Sequence, residues 1–144
     1  VSKKEVMFFQ KLIKTEYFPI ERVTKTVPLL KAYAGMSGTF LEALAQTDID
    51  GVVIEALGAG NLPPATLTGV QLLLDRNIPI VLTSRAFNGI AQDIYDYEGG
   101  GKQLKSAGVI FAPGLSGPKA RLKLLVVLEQ STDHAYISEV FESV

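Results

Sequence analysis

Cysteine is absent from the chain and histidine occurs once, at position 134. The first absence excludes disulfides and thiolate chemistry and fits a reducing, cytoplasmic setting. The second leaves no His/Cys cluster for a metal and argues against a serine–histidine pair, since His134 falls in a terminal helix where an exposed surface imidazole is expected. No apolar run approaches the ~18 residues of a membrane span. The opening residues are too charged and too poor in Leu and Ala for a signal peptide, so an intracellular protein with no membrane contact is expected. The chain begins with Val1 rather than Met, as expected of a sequence that continues upstream.

A strong excess of one charge is also missing, the net charge being −1. That balance hides an asymmetry. Residues 1–31 carry seven Lys/Arg against three Asp/Glu, whereas residues 32–144 carry seven against twelve. A mildly acidic body argues against nucleic acid as partner, and the basic opening reads as a solvated arm.

What is present is enough apolar material for one core. At 144 residues and 47% hydrophobic, a single domain should bury roughly 68–70% of its unfolded surface. Residues 1–25 read as an arm or linker with one short extended piece, Val6 to Ile13, broken by Tyr17-Phe18-Pro19. From there the pattern alternates. Strands are predicted at 27–33, 52–56, 78–82 and 108–111, and helices at 39–45, 64–76, 117–130 and 133–143. Leu67, Val70, Leu73 and Leu74 mark the inward face of the second helix, and Ala120, Leu124, Val127 and Leu128 that of the third. The segment 83–107 reads as a long polar connection with turn signals at Asn88-Gly89 and Gly99-Gly100-Gly101. Ser116 and Thr132 are the expected helix caps. Near-continuous apolar strands alternating with helices predict an α/β fold: a small, doubly wound, Rossmann-like sheet of four parallel strands with helices on both faces, over residues 26–144.

In such a sheet ligands bind outside the carboxyl ends of the strands. The loops predicted there collect small and polar residues, foremost the run Leu57-Gly58-Ala59-Gly60-Asn61-Leu62-Pro63-Pro64. Two glycines permit a sharp turn and close approach, and Pro near a helix start removes an N–H that is unpaired anyway. Asn61 is thereby placed at the loop mouth. The run lacks the GxGxxG spacing of a dinucleotide site. Asp93, Asp96 and Glu98 lack the spacing of a calcium loop and read as solvated charge. Ser116 precedes its glycine directly and is not a nucleophile elbow. Arg85 suits either a carboxylate ligand or a neighbouring acid, and Tyr95 and Tyr97 suit contact with a ligand or, as the simpler reading, packing over the sheet edge. Donors and an orienting amide are therefore in place without an activated nucleophile or a general base. The residues alone also fit a standalone ligand-binding or regulatory domain.

Three stretches resemble the C-terminal domain of bacterial L-asparaginases: Gly51 to Pro64 (GVVIEALGAGNLPP), Pro79 to Arg85 followed by Asn88-Gly89 and Gln92-Asp93, and Gly114 to Leu125. The opening, with Tyr17-Phe18-Pro19 and Leu30 to Met36, is similar to the linker between the two domains of those enzymes. The resemblance implies an amidohydrolase converting L-asparagine to L-aspartate and ammonia, with no cofactor and no metal. In that family two threonines, helped by a lysine and an acid, act from a larger N-terminal domain, and neither Thr-Gly-Gly-Thr nor Thr-Asp-Thr occurs here. It further implies a homo-oligomer, dimer or tetramer, in which this domain closes a neighbour's site through the asparagine of the glycine loop. By motif that residue is Asn61, carried by Gly60. The family's second contact is an acid just beyond Gln-Asp; here Tyr95 falls at that position after a one-residue deletion, with Asp93 and Asp96 close by.

Overall fold

The computed structural model describes residues 16–142. The extended piece expected at Val6 to Ile13, and the rest of the arm before Glu16, lie outside the described residues. Ten elements follow in order: β1 (Leu29–Lys31), α1 (Thr39–Leu44), β2 (Val52–Ala56), a 3-10 turn (Pro64–Thr66), α2 (Leu67–Asp75), β3 (Ile80–Ser84), α3 (Gly101–Ala107), β4 (Ile110–Phe111), α4 (Gly117–Gln130) and α5 (His134–Glu142). The four strands form one parallel sheet in the order β1-β2-β3-β4. The predicted four-stranded parallel α/β sheet with helices is therefore the observed one. Among the described residues no helix is long and apolar enough to cross a membrane.

Strand alternation divides the core in two, because successive side chains point to opposite faces. Val52, Ile54 and Ala56 of β2 join Ile80, Leu82 and Phe111 on the face covered by α1, α2 and α3, where Leu41, Val70, Leu73 and Leu104 are buried. Val53, Val81 and Ile110 face the other way, against Ala120, Leu124, Val127 and Leu128 of α4 and Ile137 and Phe141 of α5. All three crossover helices share one face because successive neighbouring strands are joined in the same sense. The second face is covered only after β4, when the chain turns under the sheet.

The apolar periodicity located α4 correctly and α2 closely, while Ser84 extends β3 beyond its predicted end and Leu29 begins β1 later than predicted. The connection 83–107 is not wholly irregular: α3 occupies its last 7 residues. With Leu104 as its one fully buried large side chain, α3 carries no i, i+3, i+4 apolar pattern. Both expected caps are also corrected. Ser116 stands at the N-cap of α4 but makes no side-chain capping bond. At α5 the cap is Asp133 rather than Thr132, its Oδ2 accepting from Tyr136 N at 3.0 Å.

The described part of the arm is fastened across α4 and the start of β2. Glu129 Oε1 accepts from Thr24 N, from Thr24 Oγ1 at 2.8 Å and from Lys25 N at 3.1 Å. Asp50 Oδ2 accepts from Thr26 N at 2.8 Å. Lys123 Nζ lies 2.8 Å from Glu16, and Arg121 Nε donates to Val27 O at 2.6 Å. Phe18 packs on the second core.

Candidate functional site

The glycine loop leaves β2 at the carboxyl edge of the sheet and closes on itself. Leu57 N donates to Asn61 O, while Gly60 N and Asn61 N both donate to Leu57 O, at 2.9 to 3.0 Å. Gly58 (φ +51) and Gly60 (φ +112) supply the left-handed backbone that this ring needs. At Gly60 space is limiting as well: a Cβ there would stand 2.9 Å from Phe111 Cε1 and 3.2 Å from Leu82 Cδ2.

The end of β3 and the segment between β3 and α3 brace the ring from outside. Gln92 N donates to Ala59 O at 2.7 Å and Leu62 N to Gly99 O at 2.9 Å. Ser84 Oγ donates to Gly58 O at 2.6 Å. The glycine run predicted as a turn serves this approach, since a Cβ on Gly99 would overlap Leu62 O.

Asn61 itself is 9% exposed, and its Oδ1 has no hydrogen-bond partner among the described residues. The amide folds back over the ring, with Nδ2 3.8 Å from where a Cβ on Gly58 would be. It does not cap the following turn, whose N-cap residue is Pro63, with no side-chain bond. An unpaired buried acceptor is unfavourable by about 1–3 kcal/mol, and native structures keep few of them. Thr83 Oγ1 is a second such atom, fully buried at the end of β3 on the α4 face.

Asp93 comes close to this loop. It lines a cleft of about 280 Å³ with Ala91, Gln92, Lys105, Phe111, Pro113 and Glu142. A Cβ on Gly60 would also meet Phe111 and Gln92, so the cleft adjoins the glycine loop on its β4 side. Lys105 lies 3.9 Å from both Asp93 and Glu142, all three being substantially exposed. Tyr95 is not in the cleft. It stands half-exposed, tilted against Tyr97 with ring centroids 5.8 Å apart. Asp96 pairs instead with Lys102 at 3.5 Å. The structure thus places Asp93 in a cleft beside the loop that carries Gly60 and Asn61, while Tyr95 does not line that cleft.

Several roles at this edge are invisible in the sequence. Arg85 is turned to the backbone rather than to an acid: its Nη1 reaches Ala32 O at 2.8 Å, tying the ends of β1 and β3 across β2. Glu55 pairs with Lys31 at 3.1 Å and lies against the first residue of α4. Ser84 gains its contact because it stands in register with Ala56, two residues before Gly58. His134 is exposed, as expected, with Nε2 2.7 Å from Gly108 O.

Known proteins resemble this chain in sequence and in fold. L-asparaginase from Bacillus licheniformis is 31% identical over 128 residues, covering 89% of this chain and 40% of that protein. A glutamyl-tRNA(Gln) amidotransferase chain from Methanobrevibacter smithii is 29% identical over 119 residues, covering 82% of this chain and 27% of that one. Among solved structures, the thermostable L-asparaginase from Thermococcus kodakarensis matches with a TM-score of 0.71 at 30% identity, over 81% of this chain and 35% of its own. The chain thus spans well under half the length of these relatives. Residues 26–141 match the glutaminase/asparaginase C-terminal domain, and the chain belongs to that family as a C-terminal domain of an asparaginase-like protein.

Proposed function

We propose that this chain is the C-terminal domain of an L-asparaginase that hydrolyses L-asparagine to L-aspartate and ammonia, and that it orients the substrate rather than attacking it. The observation that carries the reading is Asn61: a nine-tenths buried amide with an unpaired Oδ1, on a ring braced by three hydrogen bonds. An amide both accepts and donates, so it can meet the ammonium or the carboxylate of a bound amino acid. Asp93, at the adjoining cleft, adds a carboxylate suited to an ammonium group. Holding a substrate in one pose lowers the barrier only where a nucleophile faces it. That nucleophile is supplied by a further domain, and the carboxyl edge of this one meets it on a neighbouring copy in a homo-oligomer.

The amidotransferase relative raises a second setting, chemistry tied to glutamyl-tRNA. Charge disfavours it, because the acidic excess over residues 32–144 would repel a polyanion. The test is ammonia release by the two-domain protein. Release from free L-asparagine is expected, with none from this chain alone; release that depends on glutamyl-tRNA, or turnover by the chain alone, overturns the proposal.

A further inference from the structure

We propose that Ser84 is a positioning residue for Asn61, setting the pose of the glycine loop from the end of β3; the inference rests on the substrate-orienting role of Asn61 argued above. Ser84 Oγ has two neighbours. Ala86 N donates to it at 3.1 Å, and it lies 2.6 Å from Gly58 O. A carbonyl can only accept, so the hydroxyl proton points to Gly58, and the amide of Ala86 fixes the hydroxyl from behind. The result is a directed relay from Ala86 N–H through Ser84 O–H to Gly58 C=O. The other restraints on the ring are backbone bonds to Leu57, Ala59 and Leu62. Ser84 supplies the side-chain hydrogen bond that bears on it among the described residues.

Space at this hydroxyl is reserved. A Cβ on Gly89 would overlap Ser84 Oγ and fall 3.0 Å from Ser84 Cβ, so the turn closed by Gly89 N and Ala86 O at 3.0 Å leaves room for the hydroxyl. Gly58 has no side chain to limit its own rotation and sits at φ +51. Without the Ser84 bond the peptide after Gly58 gains freedom, and Asn61, three residues on, samples several poses. Small displacements of orienting groups reduce rate without removing binding.

The experiment is a double-mutant cycle in the two-domain enzyme, with Ser84→Ala and Asn61→Ala made singly and together. Ser84→Ala is expected to lower kcat/KM by about threefold to tenfold, to divide the loss between kcat and KM as Asn61→Ala does, and to have no further effect where Asn61 is already alanine. Ser84→Cys keeps the shape and a weak donor and should lose less. In this chain, amide exchange at Gly60 and Asn61 should quicken in Ser84→Ala while Val81 and Leu82 in mid-strand stay protected. Equal losses in both backgrounds, no loss in either, or exchange that quickens throughout the sheet overturns the role of Ser84. A wild-type kcat/KM in Asn61→Ala is a separate result: it overturns the substrate-orienting reading, and this inference with it.

Discussion

The carboxylate of Glu55 fills the space beside Gly117 at the first turn of α4: a Cβ on Gly117 would lie 2.5 Å from Glu55 Oε1 and 2.6 Å from its Cγ. The acid is mostly buried, with Lys31 3.1 Å away. A carboxylate at a helix N-terminus is favoured by the unpaired N–H groups and the macrodipole. Glu55 thus contributes to the end of α4 at which Ser116 makes no side-chain capping bond.

Gly117→Ala should therefore destabilise the chain although alanine is the better helix former. The new methyl meets the whole outer half of Glu55, not its tip alone, and overpacking of this kind is unfavourable by about 1–3 kcal/mol. Urea unfolding of the single variant and of the Glu55→Ala, Gly117→Ala pair checks it. With Glu55 shortened, the same glycine substitution should be neutral or stabilising. Equal losses in the two backgrounds would show that the two residues do not compete for space.

Acid should loosen the arm where it crosses α4. The Glu129 carboxyl is held below its ordinary value of 4.5, first by the Thr24 backbone N–H, then by the Thr24 hydroxyl, with smaller contributions from Lys25. A group with a depressed folded-state pKa stabilises above its unfolded value and loses that contribution as pH falls through the folded one. The arm contact is thus complete at neutral pH and fades below 4.5. Amide shifts of Thr24 and Lys25, followed by NMR during acid titration, should report a midpoint below that value, and Glu129→Gln should abolish the transition. A midpoint at or above the ordinary value contradicts the assignment.

Phe87 is fully exposed at the tip of the turn after β3, and Tyr33, Phe40, Ile94, Tyr95 and Tyr97 are each half-exposed on the same edge of the sheet. Apolar side chains gathered on one edge mark an association surface. Phe87→Asp should leave the melting temperature of this chain unchanged, since the ring is given up wholly to solvent, and should lower self-association in light scattering across a hundredfold concentration range. A strict monomer before the substitution counts against the surface.

How much of this was legible depended on whether the cause was local. Val52 to Ala56 read as a buried strand because its apolar run is continuous, and α4 read as a helix because Ala120, Leu124, Val127 and Leu128 repeat at helical spacing. Helix α3 did not, because Leu104 is its one large side chain buried in the core and no helical repeat of apolar residues accompanies it. The glycine loop was legible from Gly58, Gly60 and Pro63-Pro64. Its brace was not, since which carbonyl Ser84 reaches is decided by the register of β3 against β2. Ser116 reads as a sufficient cap for the same reason: nothing near it in sequence announces that Glu55 arrives from β2. Asp93 and Tyr95 are two residues apart in sequence, yet Asp93 lines the cleft and Tyr95 does not.

Asn61 separates stability from function most sharply. Its backbone N–H and C=O both pair with Leu57, and those bonds survive truncation of the side chain. Its buried Oδ1 has no partner among the described residues, so removing it relieves an unfavourable desolvation rather than breaking a bond. Asn61→Ala should leave the melting temperature unchanged or slightly raised, while in the two-domain enzyme kcat/KM for L-asparagine falls about tenfold to a hundredfold, the equivalent of about 1–3 kcal/mol in lost positioned hydrogen bonds. A purely structural amide would behave in the opposite way, lowering the melting temperature and sparing turnover. Thermal unfolding and ammonia release measured on one preparation distinguish the two, and unchanged kcat/KM in that variant would remove Asn61 from the site.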